Sequence, residues 1–282
     1  MKKSFLMKFA TLAFAGAVAL LGANVAAAGS FIITVEAPGV QNTTATFVNN
    51  NSGVQNFDSL GTGLHDGALT VNFGSDISGT YNNISIVERQ FYGGAGTDGN
   101  FAAAGFNVPN DWSTYEDQLQ DDGIYSLTNI VNNADGNNSG VNYFGLWISA
   151  LDAANTITFC KDGDVIESFN TRDILSYVQT DPLYLINPNN GEFTGPNDNE
   201  YFVFVNFYGD VAFDEIQFKE DLTGKWLLSI FESDNHTLGV WREMGGDPIY
   251  PPAVVPEPAS LVLFGTGLGI LGLATWRKRM NK

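Results

Sequence analysis

Between residues 29 and 246 the apolar residues come in short runs, rich in aromatic and β-branched side chains and broken everywhere by Gly and Asn. This is the pattern of strands and turns rather than of long helices. It predicts strands over Phe31–Glu36, Thr44–Val48, Ala68–Phe73, Ile84–Gln90, Tyr143–Ser149, Thr156–Cys160 and Val165–Phe169. Further on it predicts Tyr201–Tyr208, Val211–Phe218, Lys225–Glu232 and His236–Trp241. Thr156-Ile157-Thr158-Phe159 alternates with period two, one face in and one out. Lys161-Asp162-Gly163-Asp164 follows it, and Asp-Gly suits a tight hairpin because Gly takes positive φ at no steric cost. Only Trp112–Leu119 and Thr171–Tyr177 read as helices, both short. About a dozen strands with loop-like spacers predict an all-β fold, an antiparallel two-sheet sandwich of jelly-roll type.

The two ends break this pattern. Lys2, Lys3 and Lys8 flank an apolar stretch, Phe9 to Leu21, and Ala26-Ala27-Ala28 offers small residues for cleavage. Residues 1–28 therefore read as a secretory signal peptide. No cysteine lies near the cleavage point, which excludes a lipoprotein. At the other end, no charge interrupts Leu261 to Trp276. As a helix these residues would be about 24 Å long, short of the roughly 30 Å of a bilayer core. A transmembrane helix over 259–276 is expected, with some local thinning. Arg277, Lys278 and Arg279 then stop it, and the basic tail 277–282 stays in the cytoplasm by the positive-inside rule. Gly265 and Gly269 carry the spacing that lets membrane helices approach closely. Between domain and helix, 247–258 is a Pro-rich spacer, extended and stiff.

Charge sharpens the division. The middle of the chain holds six basic against all 31 acidic residues, a net of −25. Such a surface repels nucleic acid and anionic headgroups and favours divalent cations. Cys160 is the sole cysteine, so no intramolecular disulfide forms. In its apolar strand it reads as a buried residue rather than a nucleophile. His65 and His236 are the only histidines, without metal-site spacing, and no P-loop or G-x-S-x-G is present. Asp214 and Glu215 would point to opposite faces of a strand, so they would not share a site. No catalytic residue is nominated, and an enzyme is not expected.

Val255-Pro256-Glu257-Pro258, the apolar span and the basic stop together resemble the PEP-CTERM sorting signal of exported bacterial proteins. The resemblance implies an exosortase as partner, together with the export machinery. It implies cleavage near Pro-Glu-Pro, transient anchoring in the inner membrane, and delivery to the envelope surface or extracellular matrix. Each proline fixes its own φ and extends the residue before it, the form a protease cleft grips. Asn142 to Trp147, Ser149 to Asp152 and Asn155 to Phe159 are similar to a recurrent stretch in exosortase-dependent surface proteins, with Ala153-Ala154 departing from it. Phe231 to His236 resembles the final strand of that group. Neither stretch brings an activity with it.

These readings imply a structural or adhesive surface protein, with a carbohydrate-binding module for exopolysaccharide as the alternative and a polysaccharide hydrolase third. Long loops, Asn132–Asn142 and Asn187–Glu200, are where binding would sit. Trp112, Tyr115 and Trp241 lie in polar company and could stack on sugar rings, while Trp147 reads as core. By analogy with jelly-roll sugar-binding modules that hold a structural calcium between first and last strands, Glu36 and Asp234 are nominated as calcium ligands. Ordinary solvated or turn residues are the competing reading.

Overall fold

The structure is a computed structural model that describes residues 30–249, apart from 75, 89–98, 105–122, 135, 137–139, 152, 187, 189–199 and 221–230. The signal peptide, the Pro-Glu-Pro segment, the apolar span, the basic tail and the 112–119 helix all lie outside those residues. No helix among the described residues is long and apolar enough to cross a membrane.

The described strands form two antiparallel sheets, numbered here in chain order. The larger sheet runs β15 (Asp247–Ile249), β1 (Phe31–Val35), β12 (Tyr201–Phe213), β9 (Val141–Leu151), β14 (Phe231–Glu243), β7 (Asn100–Ala104), β6 (Ile84–Glu88) and β3 (Gly63–His65). Strand β2 (Thr46–Gln55) pairs with β14 as well. The smaller sheet runs β11 (Asp164–Asn170), β10 (Asn155–Lys161), β13 (Glu215–Glu220), β8 (Ile124–Asn132), β5 (Ile77–Asn82) and β4 (Leu69–Asn72). They pack as a sandwich around Ile33, Phe144, Phe159, Phe207 and Phe218, all buried.

Local chemistry explains the elements that were legible. In β10, Ile157 and Phe159 go into the core while Thr156 and Thr158 face out, and Thr158 meets Ser168 of β11 across the ladder at 2.9 Å. The Asp162-Gly163 turn has φ of 53° and 86°, the two positive values a two-residue hairpin needs. One helix, α1 (Thr171–Val178), starts where the Asn170 side chain accepts from Arg172 N at 2.9 Å. It agrees with the expected Thr171–Tyr177.

Elsewhere tertiary pairing overrides the local signal. Gly209-Asp210 reads as a break between two strands, yet β12 continues through it, bulging against β9, where the five steps from Tyr208 to Phe213 match two from Tyr143 to Val141. Phe31 of β1 pairs with Gly209, and Ser30 and Asp210 bond each other's backbone and side chain. The turn to β13 falls at Asp214 instead. Asn100–Ala104 is rich in alanine, a poor strand former, and is a strand because β6 and β14 flank it. The stiff spacer expected from residue 247 begins instead as an edge strand, with Ile249 opposite Ile33 and Pro248 opposite Thr34. Proline, which has no N–H to donate, is tolerated there because an edge strand leaves one side of its backbone without a ladder partner.

Candidate functional site

Strand alternation gives the larger sheet an inner and an outer face. In β14, Phe231 and Ser233 point inward and Glu232 and Asp234 outward. Between Asp234 and Thr237 the register slips by one residue against β9, and Asn235 takes φ of 49°. This bulge returns His236 to the interior, where strict alternation would have turned it out. Asn235 is held by its side chain, which donates to the Gln41 carbonyl at 3.0 Å. Asn235→Ala should cost about 1–2 kcal/mol from left-handed backbone and the lost bond. Asn235→Gly should recover the backbone part, and thermal denaturation of both variants checks this.

His236 is fully enclosed. One ring nitrogen meets Tyr81 Oη at 2.8 Å and the other Ser233 Oγ at 2.9 Å, and Ser233 Oγ in turn meets Tyr125 Oη at 3.0 Å. Phe57, Phe144 and Phe218 pack around the ring. Burial pulls the imidazole pKa down to about 3 and pushes the Tyr81 and Tyr125 phenols well up. His236 is therefore neutral and sealed off, and bridges the two sheets. His65, in β3 at the far edge, meets the Gly61 carbonyl at 2.8 Å, three strands from β14, so the two histidines do not converge.

The two nominated calcium ligands share one row of the outer face. Glu36 N donates to the Phe204 carbonyl, Phe204 pairs with Trp147, and Trp147 pairs with Asp234. Three strand spacings separate them, about 14 Å. The structure does not bring them to one locus. The Glu36 carboxylate accepts from Thr44 N (2.8 Å), Thr44 Oγ1 (2.8 Å) and Asn206 Nδ2 (3.0 Å). Asn206 Oδ1 accepts from Tyr143 Oη (2.6 Å) and Thr43 Oγ1 (2.7 Å). These bonds strap residues 37–46 onto the sheet. Asp234 accepts from Asn235 N at 2.6 Å; burial first, and the nearby Asp58 charge, hold its carboxyl well above the usual range. Among the described residues no three His, Cys, Asp or Glu side chains group as metal ligands.

The other candidates fall in separate places. Trp147 is buried against Phe202 and Phe204 on the outer face, and its Nε1 and the Ser149 hydroxyl have no hydrogen-bond partner among the described residues. Trp241 packs on Tyr208 and donates Nε1 to the Gly209 carbonyl at 3.0 Å, which makes it an anchor at a half-buried position. Trp112 and Tyr115 lie outside the described residues. Cys160 is a free, buried thiol whose pKa burial raises. Asp214 takes Lys161 Nζ at 2.9 Å while Glu215 takes Gln217 Nε2 at 2.8 Å, so each carboxylate has its own partner. Sequence reasoning missed Asn49–Ser52, which lines a cavity; the run of three asparagines was the available signal.

Two stacked antiparallel sheets, with polar networks bracing both faces of the larger one, define an all-β sandwich. The destination is fixed by a different part of the chain: residues 254–279 match the PEP-CTERM protein-sorting motif. That motif implies an exported protein, processed by exosortase and sorted to the cell surface. No curated protein and no solved structure matches the chain.

Proposed function

We propose that the protein is a structural or adhesive component of the cell envelope or exopolysaccharide matrix, without catalytic activity of its own. The observation that carries this reading is the sorting motif at 254–279 attached to an acidic sandwich. The sandwich supports it in a second way. Two of its buried ionisable groups serve the fold: Glu36 ties down a strap, and His236 joins the two sheets. A jelly-roll reading of the connectivity is supported by successive strands changing sheets, with β9, β12 and β14 in the larger and β10, β11 and β13 in the smaller. The signal peptide delivers the chain across the inner membrane, the 259–276 helix holds it there, and cleavage near Pro256-Glu257-Pro258 releases it to the surface. Matrix attachment through polysaccharide is the second reading, favoured by the cavity described below.

Replacing Pro256, Glu257 and Pro258 by alanine is expected to leave the sandwich folded and to block maturation. Intact mass of the protein recovered from the native host reads this directly. Wild type should end near residues 256–258, and the variant should keep Arg277 to Lys282. Normal maturation of the variant would sink the sorting mechanism.

A further inference from the structure

The register of β2 against β14 contains a large irregularity. Gly239 faces Ser52 and Trp241 faces Phe47, so five steps along β2 match two along β14. The surplus bulges out through Asn49 and Asn50, whose φ angles of 53° and 56° are both left-handed. Asparagine is one of the few non-glycine residues that adopt this region, and two in succession are uncommon. The bulge forms one wall of a cavity of about 250 Å³, with Asn49, Asn50, Asn51 and Ser52 on one side and Asp76 and Ile77 on the other. β2 belongs to the larger sheet and β5 to the smaller, so the cavity opens where the two sheets meet.

Its walls are fixed in place. Asn51 Nδ2 donates to Asn132 Oδ1 at 2.9 Å, and Ala134 N donates to the same oxygen at 3.0 Å. Asn133 N donates to the Asp76 carbonyl at 2.7 Å, and Phe73 N to the Ile77 carbonyl at 2.9 Å. Asn49 and Asn50, by contrast, are exposed, and no side-chain hydrogen bond to either is found among the described residues. The bulge thus presents two amides to the cavity mouth with their hydrogen-bonding capacity unspent.

The lining chemistry selects the ligand. Among the described residues no Lys, Arg or His lines the cavity, which disfavours an anion. Among the described residues that line it Asp76 is the one carboxylate, against the six to eight oxygens, several of them charged, that a calcium ion takes. An amide both donates and accepts, as does each hydroxyl of a sugar. We propose that this cavity binds one unit of a neutral polysaccharide, through the Asn49 and Asn50 amides. The inference rests on the reading of matrix attachment through polysaccharide and assigns it a place.

Glycine accepts positive φ freely, so Asn49→Gly/Asn50→Gly removes both amides and keeps the bulge. The mature protein is titrated by calorimetry with neutral oligosaccharides (gluco-, manno- and galacto-series) and with an oligouronate as the acidic control. The expected result is binding of a neutral oligosaccharide that falls at least tenfold in the double variant, with thermal unfolding unchanged. The single variant Asn50→Gly, with an intermediate loss, serves if the double variant unfolds. Equal binding by wild type and variants would overturn the site and leave polysaccharide attachment standing. Absence of binding to any oligosaccharide would overturn both. Preference for the oligouronate, or calcium binding that the variants abolish, would overturn the assigned ligand class.

Discussion

Glu36→Ala is expected to destabilise the sandwich by about 3 kcal/mol or more. The carboxylate is 2 % exposed and receives three hydrogen bonds, two from Thr44 and one from Asn206. Bonds to a charged acceptor are among the stronger ones, and truncation leaves a backbone N–H and an amide without their acceptor. The damage should spread, because Asn206 spends its other bonds on Thr34, Thr43 and Tyr143. The strap over 37–46 should then loosen before the sheets do, so amide exchange at Thr44 and Ala45 should rise ahead of global unfolding. Glu36→Gln keeps one acceptor oxygen and the shape, and should cost about half as much. Urea denaturation of the three proteins reads the stabilities, and native-state hydrogen exchange reads the strap; a loss under about 1 kcal/mol for Glu36→Ala would show the network to be incidental.

His236 should give the protein a measurable acid sensitivity. Its pKa is pulled down to about 3 in the fold, against roughly 6.5 in an unfolded chain. Below about 6.5 the unfolded state takes up a proton that the folded state refuses, so stability falls as pH falls. The loss should reach about 2 kcal/mol by pH 5 and continue towards pH 3. Among the described residues the side chains facing the ring are Tyr81, Tyr125, Ser233 and phenylalanines, with no carboxylate that could stabilise an imidazolium. Asp234 works in the opposite sense: its raised pKa makes the folded state gain stability on acidification. Comparing wild type with His236→Leu separates the two, because Asp234 is common to both. At pH 7 the variant should be less stable by about 2–3 kcal/mol, since Tyr81 and Ser233 lose a partner inside the core. Between pH 7 and 5 it should lose about 2 kcal/mol less than wild type. Parallel pH profiles would mean that His236 does not titrate through burial.

Much of the fold was readable where a strand has one wet face. Thr156–Cys160 alternates because its threonines face solvent, and Asp162-Gly163 announces its hairpin through backbone conformation alone. The central strands of the larger sheet were harder. Tyr201–Phe213 is buried on both faces along most of its length, so it has no alternation to show. Ser233 to Asn235 falls between the two predicted strands Lys225–Glu232 and His236–Trp241, yet it lies within β14, near its start, and is buried. Nothing local says that Ser233 will meet Tyr125, or that Asn235 will bulge and send His236 inward. The nominated pair, Glu36 and Asp234, does fall on one row and one face; its spacing across β12 and β9 was not legible.

The amino-acid sequence by itself determined the address, the all-β class and the acidic character, because a sorting motif, a two-residue period and a charge balance are properties of neighbouring residues or of composition. Tertiary structure alone decided which polar residues are spent on bracing and which remain available. Glu36 and His236 are consumed by partners 170 and 155 residues away in Asn206 and Tyr81, whereas Asn49 and Asn50, no more polar than their neighbours, have no side-chain partner among the described residues and line a cavity. That division depends on register between strands far apart in the chain, and register is set by which faces can be buried together.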